Sequence, residues 1–214
     1  MERIICLAVG YLFGLLQTGY IYGRLHGIDI RKYGSGNSGA TNTLRVLGKK
    51  AGLVVFLGDA FKALIPCLVL RLYCLGQPQL SGQAYLLALY LGFGVILGHN
   101  FPFYMNFKGG KGIAAMAGLL ASLDWRLMLI CAVIFLGAVC TTRYVSLGSI
   151  LVAIAFFAVN VWFSWRGDYG LAPQARITEF WVLALAVSAM AIWRHRANIK
   201  RLLAGNENKL WGKK

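Results

Sequence analysis

The chain has 214 residues, of which 58% are hydrophobic and 14% charged, with 26 glycines and a net charge of +15. A soluble domain carries about a quarter charged residues, so this composition excludes an ordinary soluble enzyme and predicts an all-α integral membrane protein. The basic excess suits phosphate groups and anionic lipid headgroups, and no nucleic acid partner is expected.

Apolar stretches occur at 4–23, 51–75, 83–105, 113–141, 146–165 and 177–193, and a bilayer core of ~30 Å needs ~20 such residues per helix. The first follows Met1, Glu2 and Arg3 and has no small-residue cleavage site behind it, so it reads as one retained span and not as a signal peptide. As a single helix, 113–141 would be ~44 Å long at 1.5 Å per residue. Its middle reads "SLDWRL", where Asp124, Trp125 and Arg126 make a turn with an interfacial aromatic. This splits the stretch into helices near 112–122 and 126–141, and seven transmembrane helices result, forming one polytopic domain over 1–214. The polar pieces 24–50, 106–112, 142–146 and 194–214 then share one side and hold most of the 22 basic residues, Lys213 and Lys214 among them. Basic loops stay in the cytoplasm, which puts the N-terminus outside and the C-terminus inside. The five cysteines are odd in number and lack metal-ligand spacing, so neither a disulfide framework nor a zinc site is expected.

The first polar piece contains "KYGSGNSGATNTLR", with no acidic residue. Gly34, Gly36 and Gly39 let the backbone turn and bring N–H groups close to a ligand. "TNTLRVLG" predicts a short helix closed by Gly48, with Thr41 and Arg45 four apart on one face. The hydroxyl of Ser35, the amides of Asn37 and Asn42, the N–H of Gly36 and the Arg45 guanidinium would converge on an anion. The alternative is a flexible basic linker against lipid headgroups.

"FKGGKGIAAMAG" repeats the logic: Gly109, Gly110 and Gly112 surround Lys111, and exposed N–H groups at the helix start would bind an anion. It does not match a Walker A loop, and a glycine-rich helix entry with snorkelling lysines is the alternative. In "RYVSLGS", Arg143 precedes a helix whose expected N-cap is Ser146, with Ser149 one turn on. In "RHRANIKR", His195 and Asn198 fall on one helical face. His99 and Asn100, before Pro102, read as helix-terminating residues. Asp59 and Lys62 lie inside a span, where an unpaired charge costs ~3 kcal/mol; three apart, they are expected to pair and to support the first loop.

The blocks "GSGNSGATNTLR", "LGDAFKA", "GHNFPFYMNFKGGKGIA", "RYVSLGSI" and "RHRANIKRLLAGNENK" together resemble the bacterial membrane glycerol-3-phosphate acyltransferases that use acyl phosphate, the PlsY type. The resemblance implies transfer of a fatty acyl group from acyl phosphate to the 1-hydroxyl of sn-glycerol 3-phosphate. The products would be 1-acyl-glycerol 3-phosphate and phosphate, at the cytoplasmic face of a bacterial inner membrane. By the same resemblance the essential serine and arginine fall on Ser35 and Arg45, the phosphate loop on Gly109, Gly110, Lys111 and Gly112, and the late histidine and asparagine on His195 and Asn198. Gly36, Asn37, Thr41, Asn42, Arg143, Ser146 and Ser149 complete the expected substrate contacts. The active-site loops are thus 26–50, 106–112, 142–149 and 194–209, and the enzyme that makes acyl phosphate is a candidate partner. Ala63 and Asn206 depart from the family's usual Gly and Thr, which bears on local packing and on the role of Glu207.

Acyl phosphate is already activated, so direct attack by the glycerol hydroxyl is expected, driven by positioning and oxyanion donors. His195 is the side-chain candidate for base, and the departing phosphate is the other acceptor. No His-x4-Asp motif is present, and the seven carboxylates do not cluster, so metal-free and cofactor-free catalysis is expected. Two other classes are a transporter of a phosphorylated solute or lipid, which would show repeated halves, and a scaffold for anionic lipid, which leaves the glycine spacing unexplained.

Overall fold

Backbone amides that cross hydrocarbon find no water and must pair within their own segment, which favours helices. The computed structural model describes residues 1–211, and among these every regular element is helical. Lys213 and Lys214 of the basic tail lie outside the described residues. In chain order the helices are α1 (Glu2–Gly14), α2 (Thr18–Leu25), α3 (Ala40–Leu47), α4 (Lys49–Leu75), α5 (Pro78–Ser81), α6 (Ala84–Asn100), α7 (Ile113–Leu123), α8 (Trp125–Thr142), α9 (Val145–Trp165), α10 (Gln174–Arg194) and α11 (Arg196–Leu203).

Six segments are long and apolar enough to cross a bilayer: Glu2–Leu25, Lys49–Leu75, Ala84–Met105, Trp125–Thr142, Val145–Trp165 and Arg176–Arg194. The apolar α7 has 11 residues, or ~16 Å at 1.5 Å per residue, about half the hydrocarbon thickness. The turn expected in "SLDWRL" is present. Asp124 caps α8, its carboxylate accepting from the Arg126 backbone N–H at 2.7 Å and from Arg126 Nη2 at 2.8 Å. The chain forms two compact units, Met1–Leu123 and Asp124–Lys214.

In the first unit, α1 packs on α6 backbone to backbone. A Cβ at Gly10 would overlap the Leu91 carbonyl, and one at Gly98 the Tyr11 carbonyl; small residues at such contacts give helices in lipid their van der Waals attraction. The first apolar stretch is not one helix, as expected from its composition, but two, broken at Leu15–Gln17. Side chains satisfy the carbonyls this break frees. Gln17 Nε2 donates to Gly14 O at 3.2 Å and His99 O at 3.0 Å, Lys62 Nζ to Leu16 O at 2.6 Å, and the Tyr104 hydroxyl to Leu15 O at 2.6 Å. With its own partners supplied, buried irregular backbone is tolerated at membrane depth.

In the second unit, α8 and α9 are joined by Arg143 and Tyr144 and pack on each other, so they run antiparallel. Trp125 opens α8 and Trp165 ends α9, both strongly exposed, at the end of this pair opposite Arg143. That is the pattern of an interfacial aromatic belt. Asn160 and Ser164, toward the far end of α9, are paired: the Tyr169 hydroxyl donates to Asn160 Oδ1 at 3.1 Å and Trp181 Nε1 to Ser164 Oγ at 2.7 Å. Exposed Leu53, Phe61 and Val69 on α4 and Leu129, Val133 and Leu136 on α8 make apolar surfaces suited to lipid.

Candidate functional site

The glycine loop before α3 is organised by one amide. Asn42, buried in the first turn of α3, accepts from the Ser35 N–H at 2.8 Å, while its Nδ2 lies 3.2, 3.0 and 2.9 Å from the carbonyls of Ile30, Tyr33 and Asn37. Gly34 and Gly36 take φ of 57° and 72°, a region open to glycine but strained for other residues. Asn37 Oδ1 accepts from the Gly39 N–H at 2.9 Å, and Asp29 caps the turn at Arg31, whose guanidinium holds the Asp29 carboxyl down at about 2. Asn42 was expected to contact substrate; its carboxamide is instead the keystone of the loop. Ser35 and Arg45 are exposed, and Thr41 and Arg45 share a face of α3, which ends at Gly48 (φ 89°) as expected.

The Lys111 loop belongs to the same end of this unit. The Gly109 and Gly110 N–H groups donate to Asn100 O and His99 O, each at 3.1 Å. They are therefore turned back onto α6 and do not supply the exposed donors that the sequence suggested. The donors that face forward are those of the first turn of α7, Ile113 to Ala115, which have no carbonyl of their own helix to pair with. Beside them Asn100 is fully buried, and both atoms of its carboxamide lack a hydrogen-bond partner among the described residues. A Cβ on Gly112 would lie 3.0 Å from its Oδ1. Gln17 ties the two loops together, since its Oε1 faces Ser38 Oγ at 3.5 Å and its Nε2 donates to His99 O.

Asp59 and Lys62 pair at 2.8 Å, as expected, but they reach less far toward the first loop than anticipated. Their other partners are Thr18, Leu16 and His99, at the broken helix and beneath the Lys111 loop.

In the second unit, Arg143 takes a left-handed conformation (φ 64°) to end α8, and its carbonyl accepts from the Leu210 N–H at 2.8 Å. The expected N-cap role of Ser146 is not observed: the N-cap of α9 lies two residues earlier, at Tyr144, whose N–H is already taken by Thr142 Oγ1 at 3.2 Å. Ser146 thus sits inside the first turn, buried, with a hydroxyl that has no partner among the described residues. Ser149 donates to Val145 O at 2.8 Å, within its own helix. His195 joins α10 to α11, buried, with Nδ1 2.8 Å from Ala191 O. A carbonyl only accepts, so Nδ1 carries the proton and a neutral ring keeps its lone pair on Nε2. Asn198 donates to Glu207 Oε1 at 2.9 Å, and Arg201 Nε to Oε2 at 2.8 Å. Sequence reasoning missed Gln17, the carbonyls of His99 and Asn100, and Glu207, all of which act through partners distant in sequence.

Each unit therefore presents the start of an apolar helix, α7 or α9, with a buried polar side chain in or beside its first turn that lacks a partner among the described residues. Helix starts of this kind receive anions.

A family model described as glycerol-3-phosphate acyltransferase matches residues 4–205. The glycerol-3-phosphate acyltransferase of Halalkalibacterium halodurans is 42% identical over 217 residues, covering 100% of this chain and 98% of that protein. That of Thermoanaerobacter sp. (strain X514) is 39% identical, covering 98% and 96%. Among solved structures, PlsY, an integral membrane glycerol 3-phosphate acyltransferase, in its glycerol 3-phosphate form superposes with a TM-score of 0.82 and 33% identity over 99% of this chain and 96% of that one. Its lysophosphatidic acid form gives 0.79 and 32% over 98% and 95%.

Proposed function

The chain belongs to the glycerol-3-phosphate acyltransferase family, and on that premise we propose that it moves a fatty acyl group from acyl phosphate to the 1-hydroxyl of sn-glycerol 3-phosphate. The observation that carries this reading is the pair of helix starts, α7 and α9, with the orphaned Asn100 and Ser146: two anion-ready positions for a reaction whose two substrates each bear a phosphate. Ser35, Arg45 and Lys111 in the first unit and Arg143, Ser146, His195 and Asn198 in the second are the groups that act on the substrates. Gly36, Asn37, Thr41, Gly109, Gly110 and Gly112 shape the loops, with Asn42 and Ser149 holding them.

The 1-hydroxyl oxygen attacks the acyl carbonyl carbon, and the carbon–oxygen bond to phosphate breaks as the ester forms. Cationic side chains and helix N–H groups offset the charge that gathers on the carbonyl oxygen and on the leaving phosphate. His195 Nε2 takes the hydroxyl proton, for which its tautomer is suited. Replacing it, His195→Gln, is expected to lower kcat about 10²–10⁴-fold with the fold intact; near-normal turnover would assign the proton to the departing phosphate. Glu207→Ala is expected to lower kcat/KM about 10-fold by releasing Asn198 and Arg201 from a shared charged acceptor, whereas Glu207→Gln keeps an acceptor for Asn198 and falls between.

We place seven crossings in a bacterial inner membrane, with the N-terminus outside and the active-site loops and C-terminus in the cytoplasm, near the enzyme that supplies acyl phosphate. α7 serves as the seventh, its short length made up by the protein-packed segment before it. Cysteine labelling at Lys111 and Trp125 should report opposite faces of the membrane. Incubating the purified protein with acyl phosphate and labelled glycerol 3-phosphate tests the reaction: labelled lysophosphatidic acid is expected, and its absence with acyl phosphate would remove this donor.

A further inference from the structure

Lys62 Nζ lies 2.6 Å from Leu16 O, 2.8 Å from Asp59 Oδ1 and 2.8 Å from His99 Nδ1, and Lys62, Asp59 and His99 are all buried. An ammonium has three N–H bonds, and here three acceptors take them. Asp59 Oδ1 also accepts from Thr18 Oγ1 at 3.0 Å. A neutral Lys62 would leave the Asp59 carboxylate as an uncompensated buried charge, whereas the ammonium makes the cluster neutral as a whole. If the ammonium donates to His99 Nδ1, that nitrogen is a lone pair, and the ring proton stands on Nε2. A doubly protonated ring would set an N–H against the ammonium. The Nε2 edge faces the Lys111 loop: a Cβ on Gly110 would overlap Nε2 and lie 2.8 Å from Cε1. His195, held by a carbonyl at Nδ1, has the opposite tautomer.

We propose that the Asp59–Lys62 pair is a positioning device that locks His99 as its Nε2–H tautomer, so that the Lys111 loop, and through it glycerol 3-phosphate, meets an N–H and never a lone pair. The substrate named here rests on the function proposed above; the tautomer does not. A ring free to switch would turn a lone pair toward the loop that gathers the anion, weakening binding of that substrate more than the chemical step.

Nitrogen-15 NMR of histidine-labelled protein in phosphatidylethanolamine–phosphatidylglycerol bilayers, with His99→Gln to assign the signal, reads the tautomer directly. A proton on Nε2 in the wild type, redistributed between the two nitrogens in Lys62→Met, is expected; a proton on Nδ1 in the wild type overturns the proposal whatever the enzyme's activity. Because Lys62→Met risks failing to fold, the kinetic arm uses His99 itself. Gln places its amide nitrogen near the position of Nε2 and Asn places its own near Nδ1. His99→Gln is expected to hold KM for glycerol 3-phosphate within about 3-fold, and His99→Asn to raise it about 10-fold or more with the acyl phosphate KM unchanged. Equal KM values for the two variants overturn the proposal. A wild type that binds labelled glycerol 3-phosphate but makes no product from acyl phosphate defeats the proposed donor alone, and the NMR result and the binding of the same labelled compound to the two variants then decide the tautomer's role.

Discussion

Arg45→Ala is expected to reduce kcat/KM about 10²–10³-fold, the usual cost of removing one preorganised donor from a developing charge, while the thermal midpoint stays close to that of the wild type. The physical reason is the meeting of two phosphates. Two dianions ~5 Å apart repel by ~3 kcal/mol even at the dielectric constant of water, and by more near a membrane surface. A guanidinium offsets that repulsion with a planar fork that grips two phosphate oxygens at once. Arg45 stands exposed on α3 one turn after Thr41, and its helix is fixed at the start by Asn42 and by Thr43 Oγ1, which donates to Gly39 O at 3.2 Å. The side chain is thus carried by a rigid element. Arg45→Lys restores the charge without the fork and should recover only part of the rate. Full activity in Arg45→Ala, measured by lysophosphatidic acid formation, would remove this residue from the site.

What could be read from the sequence follows from how local each signal is. The turn at Asp124, the short α3 with Gly48 behind it and the glycine loops were legible because capping and turn chemistry act within a few residues. The position of Ser146 was misjudged by two residues, since the left-handed Arg143 and the Thr142 hydroxyl close the preceding turn first. The break at Leu15–Gln17 left no local mark. One glutamine in an apolar run breaks a helix only because residues far along the chain complete it: the carbonyls of Gly98 and His99 accept from its side-chain amide, and Lys62 donates to the freed Leu16 carbonyl. The same applies to Asn42: its neighbours suggest a ligand group, and only the folded loop reveals that its donors and acceptor face backbone. His99 and Asn100 do terminate α6 as read, but their carbonyls also hold Gly109 and Gly110, a pairing across the loop that spacing does not encode.

Gly110→Ala should be nearly as damaging as loss of Arg45, although it adds a single methyl group. That methyl would overlap His99 Nε2 and lie 2.8 Å from Cε1 and 3.0 Å from Cδ2, so either the ring or the loop must move. The ring has little room to yield, because Nδ1 is 2.8 Å from Lys62 Nζ and the His99 carbonyl accepts from Gln17 Nε2 at 3.0 Å. The loop therefore shifts, and the Gly110 N–H loses its bond to His99 O, which costs ~1 kcal/mol. A displacement of ~1 Å at Lys111 and the first turn of α7 is enough to lower the rate about 10²-fold. The expected signature is a raised KM for glycerol 3-phosphate together with a lowered kcat, in a protein that still extracts as a folded species. Gly137→Ala is the matched control: the same methyl on α8 meets nothing within 4 Å and should leave both constants unchanged. Wild-type kinetics in Gly110→Ala would mean that the loop can move freely without consequence, and the Lys111 turn would then not be where a phosphate is held.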